Sequence, residues 1–387
     1  MLNTHVPHKT QEWMTAKPYF SFDRLAEEYD STSNEERLRA IRDKYGVYEE
    51  DQDEEDSDDE DGMDMDETTT DDDDVLFMDT KLQQLEDALD SITEKETYET
   101  AHFMHPEHVE SFKFRLAFLH ADEFDAAAAA HRMVKYWERK VQLFGTEHGL
   151  QPNVSLLHFK REDLQALAKG GVRLLPQLDE TGRALILNYN GYYDGDPQTM
   201  LRLTWYMLHM AVFGNKNDSL NTSVQKNGVV SLSGNGRPAN DIVPFRSFHD
   251  FSVFLRNICH DLTAVLPLKF AAAHVFPIDQ WSLKLNELAL QFMGPYIRLR
   301  LHVHDASHIL HHEQQNPLFF PESIAYGIPP TIVPAELGGG GFTTLEYTHW
   351  LYLHLQEHFQ TMTEQEKEGI PVHDLFRQMH NHNPQNP

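Results

Sequence analysis

Residues 266–304 read LPLKFAAAHVFPIDQWSLKLNELALQFMGPYIRLRLHVH. Residues 269–276 form an apolar run of strand length. Over 279–293 the spacing changes. Trp281, Leu285, Leu288 and Phe292 recur at i, i+4, i+7 and i+11, the period of a helix with one apolar stripe. Leu283 and Leu290 widen that stripe and leave Lys284, Asn286 and Glu287 as its main polar positions. Residues 298–303 return to strand character. A strand, an amphipathic helix and a second strand in this order predict two parallel strands joined by a helical crossover.

The alternation runs upstream. The spacing predicts strands over 172–178, 183–189 and 228–233 and helices over 161–168, 197–213 and 248–266, with a turn at Asp179-Glu180-Thr181-Gly182. A final helix is expected over 343–359, after the glycines at 338–341. The expected fold class is α/β with a mostly parallel sheet. Ahead of it, residues 79–144 read as helices. Leu82, Leu85, Ala88, Leu89 and Ile92 make one stripe, a second helix is expected over 108–119, and a third over 125–144 has Asp125 as N-cap and Gly145 just past its end. Residues 1–75 read as a largely disordered arm with one helical island over 22–45, where Leu25, Tyr29, Leu38, Ile41 and Tyr45 keep helical spacing. The expected organisation is an arm over 1–75, a helical unit over 76–147, an α/β unit over 148–360 and a tail over 361–387.

Charge narrows the function classes. The 387 residues carry a formal charge of −30. Residues 49–74 alone hold 18 acidic residues and no Lys or Arg, so the rest of the chain is near −12. No basic run is present, and nonspecific nucleic-acid binding, which needs a Lys/Arg surface, is not expected. The single cysteine, Cys259, excludes an internal disulfide and fits a reducing compartment. The first seventeen residues lack an apolar h-region, and the best apolar stretch, 264–278, is interrupted by Lys269, so neither a secretory signal nor a membrane span is expected. A cytoplasmic protein that touches membranes peripherally is the expectation.

Histidine is the densest chemical signal. Of 24, His302, His304, His308, His311 and His312 fall within eleven residues, with Asp305 among them. Imidazoles two apart on a strand share a face and can reach one cation. The spacing is not that of a zincin helix, and the chain offers no clear distant carboxylate–His pair, so structural or surface roles are favoured and no metal is expected. Ser233-Gly234-Asn235-Gly236-Arg237 follows a strand but lacks the full phosphate-loop pattern and reads as a turn. Cys259 and His260 are helical neighbours pointing about 100° apart, which does not make a nucleophilic dyad. No G-x-S-x-G elbow occurs. The chain reads as a non-enzyme without a cofactor. Tyr189, Tyr192, Tyr193, Trp205 and Tyr206 suit the wall of a roomy cavity or a core equally well.

The order of several segments resembles the CRAL-TRIO lipid-binding family, in the branch of the tocopherol- and retinaldehyde-binding proteins. The likeness covers about residues 80–355. It begins with LAFLHADEFD at 116–125 and Tyr136-Trp137-Glu138-Arg139, continues through GRALIL at 182–187 with Asp196-Pro197 and GVVSL at 228–232, and is most specific in LPLK at 266–269 followed by RLHVH at 300–304. PAELGG at 334–339 is similar to the closing segment of the family. Ala117, His120 and Asp122 replace family arginines, Ser231 replaces an acidic residue, and Leu268 stands where the phosphatidylinositol-exchange branch carries a Glu.

The resemblance implies a lipid enclosed between a sheet floor and a helical gate over 279–293. The residues placed at that pocket are Leu187, Tyr189, Val230, Leu232, Phe276, Trp281, Leu285, Leu288 and Phe292. It also implies phosphoinositide binding through Lys269, Arg298 and Arg300, on an anionic membrane surface. The expected partners are a hydrophobic lipid and that surface, with a protein partner for the acidic arm as a further option. The arm is expected to compete for the basic patch. A scaffold with a filled cavity and a His-rich metal hydrolase are the rival readings.

Overall fold

The computed structural model describes residues 22–46, 70–189, 197–214, 218–235, 253, 256–257, 262–277, 287, 289–290, 292–304, 326–333, 341 and 346–347. The chain is α/β. Two helices, α1 (Phe22–Ser31) and α2 (Asn34–Tyr45), precede a helical series: α3 (Thr70–Ser91), α4 (Glu96–Met104), α5 (Pro106–Val109), α6 (Phe112–Ala121) and α7 (Ala126–Gly149). The helix expected over 108–119 is broken. Ser111 interrupts it and caps α6, its Oγ accepting from the Phe114 N–H at 3.4 Å. Asp125 caps α7 as expected, accepting from the Ala128 N–H at 3.0 Å. Gly145, at φ 78°, kinks the chain where the helix was expected to end, and a further turn follows.

The sheet follows α8 (Arg161–Lys169). Strands β1 (Val172–Leu174), β2 (Ala184–Tyr189), β3 (Val229–Asn235), β4 (Phe270–Pro277) and β5 (Leu301–Val303) lie in the order β1-β2-β3-β4-β5. β1 pairs antiparallel with β2, and every other pairing is parallel. β2 reaches β3 through α9 (Pro197–Phe213) and α10 (Asp218–Asn227). α10 was not foreseen, because its polar sequence carries no apolar stripe.

Three expected strands differ in extent. β1 stops at Leu174 rather than 178. β3 runs on through Gly234 and Asn235, so the first half of the segment read as a turn is strand; Gly236 and Arg237 lie outside the described residues. Residues 298 and 299 belong to a short helix, α12 (Pro295–Leu299), which follows α11 (Thr263–Val265); Pro295 sits in its first turn, where a missing N–H is not needed. Most of the expected helices over 248–266, 279–293 and 343–359, and Cys259 with His260, fall outside the described residues. Among the described residues, no helix is long and apolar enough to cross a membrane.

α9 is buried on nearly every side and joins the helical series to the sheet. Trp205 lies 5.2 Å from Tyr136, and Tyr206 lies 5.2 Å from Phe159, edge-on. Trp205 and Tyr206 are therefore core residues. They belong to one cluster with Phe114, Phe118, Trp137, Ile186 and Val229.

Candidate functional site

Side chains alternate along a strand, and the register sorts them into two faces. Leu185 pairs with Val230 and Leu187 with Leu232. Val230 pairs with Ala272, Leu232 with His274, and Gly234 with Phe276. One face thus carries Leu185, Leu187, Val230, Leu232, Ala272 and Phe276, all buried in one apolar cluster. Tyr326, Ile328, Ile332 and Val333 complete that cluster. Four of the expected pocket residues, Leu187, Val230, Leu232 and Phe276, are brought together here. Tyr189 ends β2 opposite Gly234. Phe292 is half-buried in the turn before α12 and is not part of the cluster. Trp281, Leu285 and Leu288 lie outside the described residues.

The same face continues onto β5 as imidazole. His302 pairs with His274 across β4 and β5, and His304 follows two residues on. The Nδ1 of His274 lies 3.0 Å from the Nε2 of His304, and the Tyr326 hydroxyl lies 3.0 Å from the His302 ring nitrogens. Phe276 stacks on His304 at 4.3 Å. Burial pushes all three histidines down. His302 falls to about 4, with Lys44 adding to the effect, and His304 to about 3, with His302 adding. His274 is held well below its ordinary value by burial and then by His304 and His302. A neutral imidazole carries one donor and one acceptor, and the Nε2 of His274 is buried with no hydrogen-bond partner among the described residues. Among the described residues, no group of three or more His, Cys, Asp or Glu is placed to hold a metal ion. His308, His311, His312 and Asp305 lie outside them.

The expected headgroup cations sit where the parallel strands begin, and the N-terminal helices reach all three. Lys269, just before β4, pairs with Asp43 of α2. Arg300, just before β5, donates to the same carboxylate from Nε at 2.8 Å and from Nη2 at 2.5 Å, and lies 3.7 Å over the Tyr296 ring. Arg298 on α12 is held by Glu28 of α1 through both its Nε, at 2.6 Å, and an Nη. Asp43 is 1% exposed. Burial and then Arg300 lower the pKa of the neighbouring Lys44.

Arg183, immediately before β2, ties these parts together. It is fully buried, with Nε on Asp179 at 2.6 Å. Its Nη1 donates to the carbonyls of Asp43 and Lys44 at 2.6 and 3.2 Å, closing the C-terminal end of α2. Its Nη2 donates to the Tyr326 carbonyl. Tyr45 stacks on Tyr326 at 4.6 Å. Gly46 ends α2 at φ 69°, and a Cβ there would collide with Thr181, so glycine serves both the left-handed cap and the close approach.

Glu28, Asp43, Arg183 and Tyr326 are the site residues that sequence reasoning missed. Arg183 follows the recognised turn directly, which marks its place but not its partners. The apolar stripe of α2 points the wrong way: Leu38, Ile41 and Tyr45 are 56%, 38% and 37% exposed, whereas Ala40 and Asp43 are buried. Ala117, His120 and Asp122 are also placed. Ala117 is in the core, His120 is buried with its pKa pushed to about 4 by burial and then by Lys226, and Asp122 binds Arg132 through two bonds of 2.7 Å. Arg132 in turn donates to the Thr263 and Leu266 carbonyls at 2.8 and 3.1 Å.

No protein-family model matches the chain, and no curated protein matches it.

Proposed function

We propose that the chain encloses one hydrophobic lipid against the Leu187–Val230–Leu232–Phe276 face of its sheet and carries it between membranes, docking on phosphoinositide headgroups through Lys269, Arg298 and Arg300. The observation that carries this reading is that face: large apolar side chains from three adjacent strands converge in register beside a row of neutral imidazoles. The sequence resemblance to lipid-binding CRAL-TRIO proteins, which first placed these residues, supports it.

The energetics define what such a protein must do. An alkyl chain gains about 0.8 kcal/mol per CH₂ on leaving water, and a bilayer offers much the same gain. The protein competes by enclosure and by a few polar contacts. Release then requires the apolar face to open next to lipid. Each cation near an anionic surface adds about 1 kcal/mol, so the three, once separated from Glu28 and Asp43, bias docking by a few kcal/mol.

A second reading, a protein-interaction scaffold with a filled core, is favoured by one observation: Tyr326, Ile328, Ile332 and Val333 already cover the apolar face. Transfer of a fluorescent long-chain lipid between donor and acceptor vesicles separates the two. A carrier raises the transfer rate in proportion to its concentration, and a scaffold leaves the spontaneous rate unchanged.

A further inference from the structure

Helix α2 docks through charge rather than through an apolar stripe. Asp43 and Ala40 are the buried residues of α2, while Leu38 and Ile41 face outward. Two carboxylates, Glu28 and Asp43, engage three cations, Lys269, Arg298 and Arg300, that converge at the starts of β4 and β5. We propose that α1 and α2 form an acidic latch over this site: Glu28 and Asp43 occupy the places of the phosphates of an inositol polyphosphate headgroup, and that headgroup displaces them. The latch rests on the docking half of the function proposed above.

Three physical points support it. Arginine and lysine bind phosphate oxygens in the same charge-assisted geometry they use for carboxylate, so the exchange leaves every cation paired. A buried ion pair is close to break-even against its desolvation, so a helix held mainly by such pairs is more readily exchanged than one seated by apolar area. The third point links the latch to the lipid face. Tyr45 stacks on Tyr326, and Arg183 binds both the end of α2 and the Tyr326 carbonyl. Tyr326 belongs to the segment covering Leu187 and Leu232. Departure of α2 removes the Tyr45 contact and one side of the Arg183 bridge, which loosens the cover where the headgroup binds. Docking and uncovering of the face thereby share one element.

The test uses the full chain as wild type, Glu28→Gln and Arg298→Gln. Binding to phosphatidylcholine vesicles with and without a phosphatidylinositol bisphosphate is compared, and hydrogen exchange is followed over α2. Glu28 is partly exposed, so Glu28→Gln does not threaten folding. The latch predicts that Glu28→Gln binds phosphoinositide vesicles about fivefold more tightly, the worth of one cation no longer offset by a carboxylate. It also predicts faster exchange across α2 when those vesicles are added, but not with phosphatidylcholine alone. Soluble inositol trisphosphate, added in place of vesicles, distinguishes a free phosphate ligand from a lipid headgroup; either one speeding exchange in α2 upholds the latch. If wild type and Glu28→Gln bind equally, Arg298→Gln binds less and α2 exchange stays slow, the latch is overturned while headgroup docking stands. If none of the three chains prefers phosphoinositide vesicles and inositol trisphosphate has no effect, the docking reading falls and the latch with it.

Discussion

Asp43 and Arg300 lie 257 residues apart in the chain and face each other with 2.8 Å between Oδ2 and Nε. The carboxylate also takes Lys269, so one side chain on a short N-terminal helix neutralises the starts of two parallel strands. Neutralising Asp43 leaves two cations desolvated and without its charge. Breaking a buried pair in this way costs about 3–5 kcal/mol. Asp43→Asn is expected to remove hydrogen-exchange protection across Asn34–Tyr45 while amides of β2, β3 and β4 keep theirs. Retained protection in α2 would show that apolar contacts, not the ion pairs, seat the helix.

Arg183→Gln strips a fully buried carboxylate, Asp179, of its guanidinium and releases the carbonyls of Asp43, Lys44 and Tyr326. The expected loss is about 3–5 kcal/mol in urea unfolding. Arg183→Lys is expected to recover little of it, because an ammonium cannot reproduce the fork. A variant as stable as wild type would contradict the bridging role.

The buried and half-buried histidines set a pH dependence whose sign is fixed. His209 and His304 are held down to about 3, and His108, His120 and His302 to about 4, in each case chiefly by burial. In the unfolded chain they titrate near 6.5. The unfolded state therefore binds more protons between those values, and unfolding becomes easier as pH falls. Stability should be level with respect to these groups above pH ~6.5 and decline from there toward pH ~4, each fully buried site contributing a slope of up to about 1.4 kcal/mol per pH unit. Urea midpoints measured across that range check it. A midpoint that is flat or rises on acidification would rule out neutral buried imidazoles.

Asp125 offers a local check on the helical unit. Its carboxylate accepts from the Ala128 N–H at the start of α7. Asp125→Ala should cost about 1 kcal/mol in the same unfolding assay. A change near zero would mean that packing of α7 alone fixes its start.

These residues also show what could be read from sequence. β2, β4 and α9 were legible because apolar periodicity and length coincide there, and α9 was placed to the residue at both ends. Leu187, Val230, Leu232 and Phe276 were grouped by the resemblance alone, and the register of the parallel strands puts them on one face. The latch was not legible. Periodicity reports the apolar side of a helix, and α2 docks by its charged side. Asp43 among Arg37, Arg39, Arg42 and Lys44 looks like a solvent-facing charge pattern until Lys269 and Arg300 are placed opposite it. The strand expected over 298–303 is shortened to 301–303 for a local reason: Gly294-Pro295 starts a short turn of helix before the chain enters β5.

The central claim is that the chain holds a lipid. Organic extraction of the purified full chain, followed by mass spectrometry against a mock preparation and repeated after incubation with mixed-lipid vesicles, tests it most directly. The account predicts one hydrophobic lipid class enriched to nearly one molecule per chain. An extract indistinguishable from the mock, both before and after exposure to lipid, would contradict it and leave the sheet face as an ordinary filled core.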